Sequence, residues 1–273
     1  VSSATNASFS TAVEAFDRVA ASYDEQFTQT VIGQAQRKQV WKQLLQAFAP
    51  GDRILELNCG TGEDARFLAT RGRRIIACDG SAEMIKVASA RAEQEAVGAE
   101  VSFQHLSNED LHLLSRNQPF DGAYSNFSGL NCLSDLRPVA GNLASLIRPG
   151  GQVLICLWSP VCVGELVWYL FHGETNKAFR RFSGKAQARV GGLTIAVSYP
   201  NVGEVQHAFA PWFELKGRRA IGLFVPPSYV ESWARKHTVM IGCLEKMDAA
   251  FSNCPVLRDL GDHVLLEFTR CNQ

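Results

Sequence analysis

The residues best placed to do chemistry stand in one short run, Glu56-Leu57-Asn58-Cys59-Gly60-Thr61-Gly62. Glycines at alternate positions let a backbone turn tightly and let a ligand approach the main chain closely. A carboxylate at Glu56 puts negative charge near a cationic ligand group. Seventeen residues past this run comes Asp79, where an acidic side chain can take both hydroxyls of a ribose. The combination suits a nucleoside carrying positive charge. A dinucleotide is the competing reading, since Gly60-Thr61-Gly62-Glu63-Asp64-Ala65 is compatible with a G-x-G-x-x-G/A turn. Acidity separates the two. A pyrophosphate on this helix start would meet Glu63, Asp64 and nearby Glu56, whereas a sulfonium and an ammonium would not be repelled.

The elements needed to position these groups are legible around them. Arg53 to Leu57 reads as a strand ending at the glycine run, and Glu63 to Thr70 as the helix after it, closed by Gly72. Arg74 to Cys78 is a second strand, and Ser81 caps a helix running to about Glu95. Val101 to His105 and Gly122 to Ser125 are further strands. A helix from about Asp135 to Ile147 stops at Pro149-Gly150-Gly151, and Gln152 to Trp158 is a wholly apolar strand. Apolar strands alternating with helices indicate a doubly wound α/β fold, a parallel sheet covered on both faces.

Helical spacing of Phe16, Val19, Ala20 and Tyr23, and of Val40, Leu44, Leu45 and Phe48, makes the first 50 residues a helical lid. Residues 51–158 form the α/β core. Residues 159–273 add a substrate cap, from about 159–200 and 226–255, and C-terminal strands that complete the sheet. Within the cap, Ser159-Pro160 opens a helix with proline at its first position. That helix is apolar nearly all round and should bury more than one face. Ala188 to Tyr199 suggests a hairpin around Gly191-Gly192. Val202 to Phe209 is helical, Phe213 to Phe224 is one or two strands, and Ser228-Tyr229-Val230-Glu231 is a capping-box pattern. Asp262 to Thr269 is a final strand.

Three motifs, E-L-N-C-G-T-G at 56–62, C-D-G-S at 78–81 and I-R-P-G-G at 147–151, resemble those of class I methyltransferases that use S-adenosylmethionine. The resemblance covers about residues 12–158. It implies a Rossmann-like, mostly parallel seven-stranded sheet with the last strand antiparallel. It also implies that Cys59, Gly60, Thr61 and Gly62 line the methionine and sugar of the donor, with Glu56 attracting its amino group. Asp79 would hold the ribose hydroxyls, with Gly80 beside it and Met84 against the adenine. Ser107, Asn108 and Glu109 fall on the family's adenine-edge motif, where Ser107 replaces the frequent aspartate. Ser125, Asn126 and Phe127 would face the sulfonium. Asn58 stands where glycine is more usual, a tolerable change if its dihedrals are ordinary.

Phe16 to Asp24 is similar to the entry helix of ubiquinone-type and small-molecule methyltransferases. There Tyr23 would close over the donor's carboxylate. An amphipathic helix packed on the sheet is the alternative.

What remains is either excluded or bland. Net charge is zero, with 27 basic and 27 acidic residues, so nothing calls for nucleic acid. After the fourth strand, S-N-F-S-G-L also lacks the pattern of nucleobase amino methyltransferases. None of the six histidines has ligand spacing, and the eight cysteines form no C-x-x-C pair, so no metal is expected. The cysteines read as reduced thiols of a cytoplasmic protein. Residues 1–10 lack the pattern of a signal peptide. Gln152 to Phe171 carries only Glu165 as a charge, but Pro160 and Gly164 interrupt it, so a strand and a buried helix replace a membrane span.

The expected function is methyl transfer from S-adenosylmethionine to an oxygen, nitrogen or carbon nucleophile of a partly apolar small molecule, by a monomer or homodimer. A non-catalytic donor-binding module and a protein or RNA methyltransferase are the alternatives. Tyr23, Tyr169 and His172 are the candidate bases, and at least one of Trp168, Tyr169 and Phe171 is expected to line the acceptor pocket. Helix-end and core roles are the bland readings of His172 and of the aromatics.

Overall fold

The computed structural model describes the backbone of residues 2–272 and the side chains of residues 11–272. The polar residues 1–10, read against a leader, therefore lie outside the described side chains.

Helix α1 (Ser2–Val19) leads through single 3₁₀ and π turns, the latter at Asp24–Thr28, into α2 (Val31–Ala47). The core then alternates: β1 (Arg53–Leu57), α3 (Glu63–Ala69), β2 (Arg74–Asp79), α4 (Ala82–Gln94), β3 (Val101–His105), β4 (Phe120–Ser125), α5 (Arg137–Leu146) and β5 (Ile147–Trp158). The seven-stranded sheet has the order β3-β2-β1-β4-β5-β9-β8, with β8 at Phe213–Ile221 and β9 at His263–Arg270. Only β9 runs against the rest, pairing antiparallel with both β5 and β8. Strand order reverses between β1 and β4, and a crevice opens at the carboxyl ends of the strands there.

Two apolar layers sandwich the sheet. Leu55, Leu57, Leu143 and Phe209 belong to one, and Leu44, Phe48, Ile54 and Leu68 to the other. The strand bounds match the periodicity closely because strands buried on both faces leave little freedom in register. Ser81 caps α4, its Oγ accepting from Met84 N at 3.1 Å.

The second half holds α6 (Val163–Phe171), α7 (Thr175–Ala178), a hairpin of β6 (Lys185–Val190) and β7 (Leu193–Ser198), α8 (Val202–Phe209), α9 (Glu231–Ala234) and α10 (Thr238–Phe251). The β6–β7 hairpin packs on α1: Ala12 and Ala15 bury against Ile195, Val197 and Tyr199. Lid and hairpin thus form one cover over the crevice.

Several local expectations change. Phe213 to Phe224 yields a single strand, within the one or two expected, and the helix expected to open at Ser228 is divided into the short α9 and the longer α10. Helix α6 begins at Val163, with Cys162 rather than Ser159 at its cap, so Pro160 precedes the helix. Its apolar residues are not buried. Phe171 is 86% exposed, and Val163, Val167, Trp168 and Leu170 are exposed too, while Glu165 is the buried residue. The reason is electrostatic: Glu165 must face inward to meet Arg180 and Arg181, which turns the apolar positions outward. Glu231 does not build a capping box. Its carboxylate accepts from Val31 N at 2.9 Å and Ile32 N at 3.1 Å, satisfying orphan donors at the start of α2.

Candidate functional site

The glycine run leaves β1 through three left-handed residues. Asn58 has φ +55°, which corrects the expectation of ordinary dihedrals. Asparagine tolerates that conformation, and here its side chain is fixed. Its Oδ1 accepts from Asn108 Nδ2 and Ser125 Oγ, each at 3.3 Å.

Gly60 (φ +53°) and Gly62 (φ +74°) then divide the labour. A Cβ on Gly62 would stand 2.7 Å from the Phe103 ring and 2.9 Å from Ala88, so this glycine lets α3 pack on its neighbours. A Cβ on Gly60 would meet nothing within 4 Å. Gly60 faces the crevice, and its bare backbone is open to a ligand.

Asp79 closes the opposite side. Its Oδ2 accepts from Gly60 N and its Oδ1 from Ser81 N, both at 2.8 Å. Burial pushes its pKa up, while these two backbone bonds oppose the rise. Glu56 is 1% exposed and its Oε2 has no hydrogen-bond partner. Burial, with Asp64 nearby, holds its pKa well above the ordinary carboxylate value.

The acidity at the start of α3 is already neutralised within the chain. Asp64 accepts from Trp41 Nε1 at 2.6 Å and Asn126 Nδ2 at 2.9 Å, and pairs with Arg37 at 2.5 Å. Glu63 pairs with Arg66 and Arg91 at 2.8 and 2.9 Å. Asp79 is left as the acid at this turn that can face a ligand, with Glu56 buried off the cleft wall.

The glycine turn and Asp79 share one cleft of about 410 Å³. Asn58, Cys59, Gly60, Thr61, Asp79, Gly80, Met84, Asn126 and Phe127 line it, and Tyr23 closes it from the lid. Tyr23 is pushed up to about 12 by burial against the pull of Arg37. At neutral pH it is a hydrogen-bond donor and not a base. The lid is pinned to the core, since Thr61 Oγ1 donates to Asp24 Oδ1 and Ser81 Oγ to Asp17 Oδ1, each at 2.6 Å.

Glu56, Gly62, Ser107, Asn108, Glu109 and Ser125 do not line the cleft. Ser107 Oγ donates to Asp110 Oδ2 at 2.7 Å, Glu109 is exposed, and Asn108 and Ser125 are buried behind Asn58.

The candidate bases on α6 fare differently from Tyr23. His172 is exposed, stacks on Trp168 at 4.3 Å and shares its Nδ1 with the Trp168 carbonyl at 2.8 Å, the bland helix-end role. Tyr169 lies 5.2 Å from Tyr229. Neither residue lines the cleft, nor does Trp168 or Phe171, because α6 is turned by its buried Glu165. The apolar half of the cleft is built instead by Phe16, Trp158, Val190 and Ile195.

Among the lining residues that sequence reasoning missed, four carry polar or aromatic chemistry of interest. Arg37 stands 4.8 Å from the Phe127 ring centroid, Trp158 ends β5, His263 opens β9 and Asp262 immediately precedes it. Arg37, the one charged residue among the buried positions of α2, is the readable signal. Asp262-His263 was visible only as the start of the last strand.

Phe127 is a junction in the wall of the cleft. With Ser128 it holds a left-handed backbone (φ +47° and +70°), a conformation that costs non-glycine residues roughly 1–3 kcal/mol each. Its ring meets Phe27 at 5.2 Å and His263 at 5.5 Å, edge to face. Its amide is held by Asn126 Oδ1 at 2.9 Å.

Among known proteins, residues 54–151 match the family model described as a methyltransferase domain. Residues 54–151 thus carry a methyltransferase domain, and the likeness is to the class I S-adenosylmethionine-dependent methyltransferases. A demethylmenaquinone methyltransferase of Clavibacter sepedonicus is 32% identical over 53% of this chain and 56% of its own length. A tRNA 5-carboxymethoxyuridine methyltransferase of Escherichia coli is 30% identical over 53% and 56%. The chain thus spans little more than half the length of these curated relatives. A DhpI structure with bound SAH shares the fold at a TM-score of 0.58 and 15% identity, over 97% of this chain and 98% of that one.

The residues of the cleft fit the methyl donor of this family. An open, left-handed Gly60 and a paired but accessible Asp79 are what an uncharged ribose would meet, and the orphaned Glu56 oxygen, buried off the cleft wall, leaves an acidic group near a cationic amino acid. Among the described residues, no group of three or more His, Cys, Asp or Glu could hold a metal ion, and no helix is long and apolar enough to cross a membrane.

Proposed function

We propose that this chain transfers a methyl group from S-adenosylmethionine to a small, partly apolar molecule. The observation that carries the reading is continuity. One cleft joins the Gly60–Asp79 cradle to the aromatic half at Phe127 and Trp158, so donor and acceptor would share one enclosure. When bound, the donor supplies a methyl on a sulfonium whose departure leaves a neutral thioether.

The chain's own groups do the rest. Asp79 takes the ribose hydroxyls, Met84 packs on the base, and Asn126 and Phe127 border the sulfonium. Asn108 and Ser125 support this half through Asn58, while Ser107 and Glu109 make no hydrogen bond with Asn58. Tyr23 and Arg37 hold the amino-acid carboxylate, the first by donating and the second by charge. The α1–hairpin cover excludes water. Holding the nucleophile in line can supply roughly 7–11 kcal/mol of the barrier.

A small acceptor suits a cleft covered by α1 and β6–β7 better than an RNA or a protein does, and the balanced charge supports the same choice. The four buried, unpaired cysteines suit a reducing, cytoplasmic setting. A monomer and a homodimer both remain compatible with the cleft, which one chain completes.

The test is incubation with radiolabelled S-adenosylmethionine and a set of aromatic small molecules. Transfer of label to a small molecule is the expected result. Label reaching only tRNA or protein would move the reading to a macromolecular methyltransferase.

A further inference from the structure

The aromatic half of the cleft ends on a histidine that nothing above uses. His263 opens β9 directly across from Trp158 and is 3% exposed. Its ring meets Phe127 edge to face at 5.5 Å and tilts against Trp158 at 6.3 Å. Nδ1 is buried without a hydrogen-bond partner and lies 3.4 Å from Asp262 Oδ2. That leaves Nε2 as the nitrogen available to the cleft, whose wall includes this ring.

Asp262 is itself fixed. Arg181 Nη2 meets its Oδ1 at 2.7 Å, and Gln36 Nε2 donates to its Oδ2 at 3.2 Å. Arg181 is anchored in turn by Glu165 of α6 at 2.6 Å. The cap helix therefore reaches the cleft through its one buried acid and not through its aromatics. The charged groups facing His263 are Asp262, which favours the imidazolium, and Arg181, which opposes it; Phe127 and Trp158 contribute neutral rings. Burial dominates and pushes the imidazole down to about 4, so the ring is neutral at pH 7 with a free lone pair.

Resting on the methyl-transfer reading, we propose that His263 is the general base of this cleft and that the acceptor is a hydroxyl on an aromatic or apolar body. A neutral amine attacks with its own lone pair and needs no base first. A hydroxyl is a weak nucleophile until its proton is taken, which is what a neutral imidazole beside a carboxylate does. As the oxygen–methyl bond forms and the methyl–sulfur bond breaks, the O–H proton passes to Nε2. The bonding pair of the O–H stays on oxygen, and the sulfur keeps the pair of the broken bond. The imidazolium is stabilised by Asp262 and returns its proton to water when the product leaves.

The experiment measures methyl transfer to 2-naphthol and to 2-naphthylamine, alongside calorimetric binding of S-adenosylhomocysteine. Wild type should methylate the naphthol in preference to the amine, at a rate nearly flat from pH 6 to pH 9. His263→Gln and His263→Asn should each lower kcat on naphthol by about 10²–10⁴-fold. Their affinity for S-adenosylhomocysteine should be unchanged, and their residual rate should climb about tenfold per pH unit toward the naphthol's own ionisation. Melting temperatures are read for both, so that a folding defect in one variant leaves the other. Preference for the amine, no transfer to naphthol while S-adenosylhomocysteine binds, or variants with wild-type kcat and a flat pH profile would each overturn the assignment. Failure of S-adenosylhomocysteine to bind wild type would instead overturn the methyl-transfer reading beneath it.

Discussion

Asp79 Oδ2 accepts the Gly60 amide proton at 2.8 Å, and this bond ties the two donor motifs into one unit. The loop after β1 cannot move without moving the acid that ends β2. Asp79→Ala should therefore do two things. It should remove the ribose contact and leave the Gly60 amide short of its acceptor. Affinity for S-adenosylhomocysteine should fall by roughly 1–3 kcal/mol, the scale of leaving such groups unpaired. Isothermal titration reads this directly, and an unchanged affinity would place the ribose elsewhere.

The two glycines separate packing from binding. Gly62→Ala forces a methyl into the Phe103 ring at 2.7 Å and should cost stability by about 1–3 kcal/mol, seen as a lower Tm. Gly60→Ala enters open space, so its stability loss should be the smaller one, confined to its positive φ. Its donor affinity should be the one that suffers. A reversal of this pattern would mean that Gly60 does not face the donor.

Glu56 gives a prediction with opposite signs for stability and binding. Its folded pKa is raised above the ordinary value near 4.5, so the folded state holds the proton more tightly than the unfolded chain. Stability from this group is present at low pH and is lost as pH rises above 4.5 through its folded pKa. At neutral pH the empty protein therefore carries a destabilising acid. Glu56→Gln should raise Tm at pH 7 without ligand and lower the stabilisation that S-adenosylhomocysteine confers. A lower Tm in the empty variant would contradict the buried, unpaired state of Oε2.

His263 acts in a different window. Its folded pKa, about 4, lies below the ordinary 6.5, so the unfolded chain takes up the proton first. Stability should fall as pH drops from about 6.5 to about 4, and His263→Gln should flatten that fall. Chemical denaturation at pH 7, 5.5 and 4.5 checks the slope.

How much of this was legible follows from chain separation. β1, α3, β2 and α4 stand within about 45 residues, and each carries its own period, cap or turn, so the cradle could be read directly. The β6–β7 hairpin announced itself through Gly191-Gly192. The rest depended on partners far apart. Glu165, Arg181 and Asp262 join across 16 and 81 residues, and that junction turns α6 outward, which is why its aromatics misled. Glu231 looked like a local cap and serves a helix 200 residues away. Asp64 looked like free acidity, yet Arg37, Trp41 and Asn126 satisfy it. Local pattern names the element, but buried charge decides which face it shows.

Placement rather than metal chemistry is the expected source of rate. Activity should survive full chelation with EDTA. Loss that a divalent ion restores would reveal a metal site that the described residues do not show.

The most direct test of the central claim is calorimetric titration of the protein with S-adenosylhomocysteine. The account predicts one site per chain, a raised Tm and a markedly weaker Asp79→Ala variant. No heat and no thermal stabilisation at millimolar ligand would contradict it.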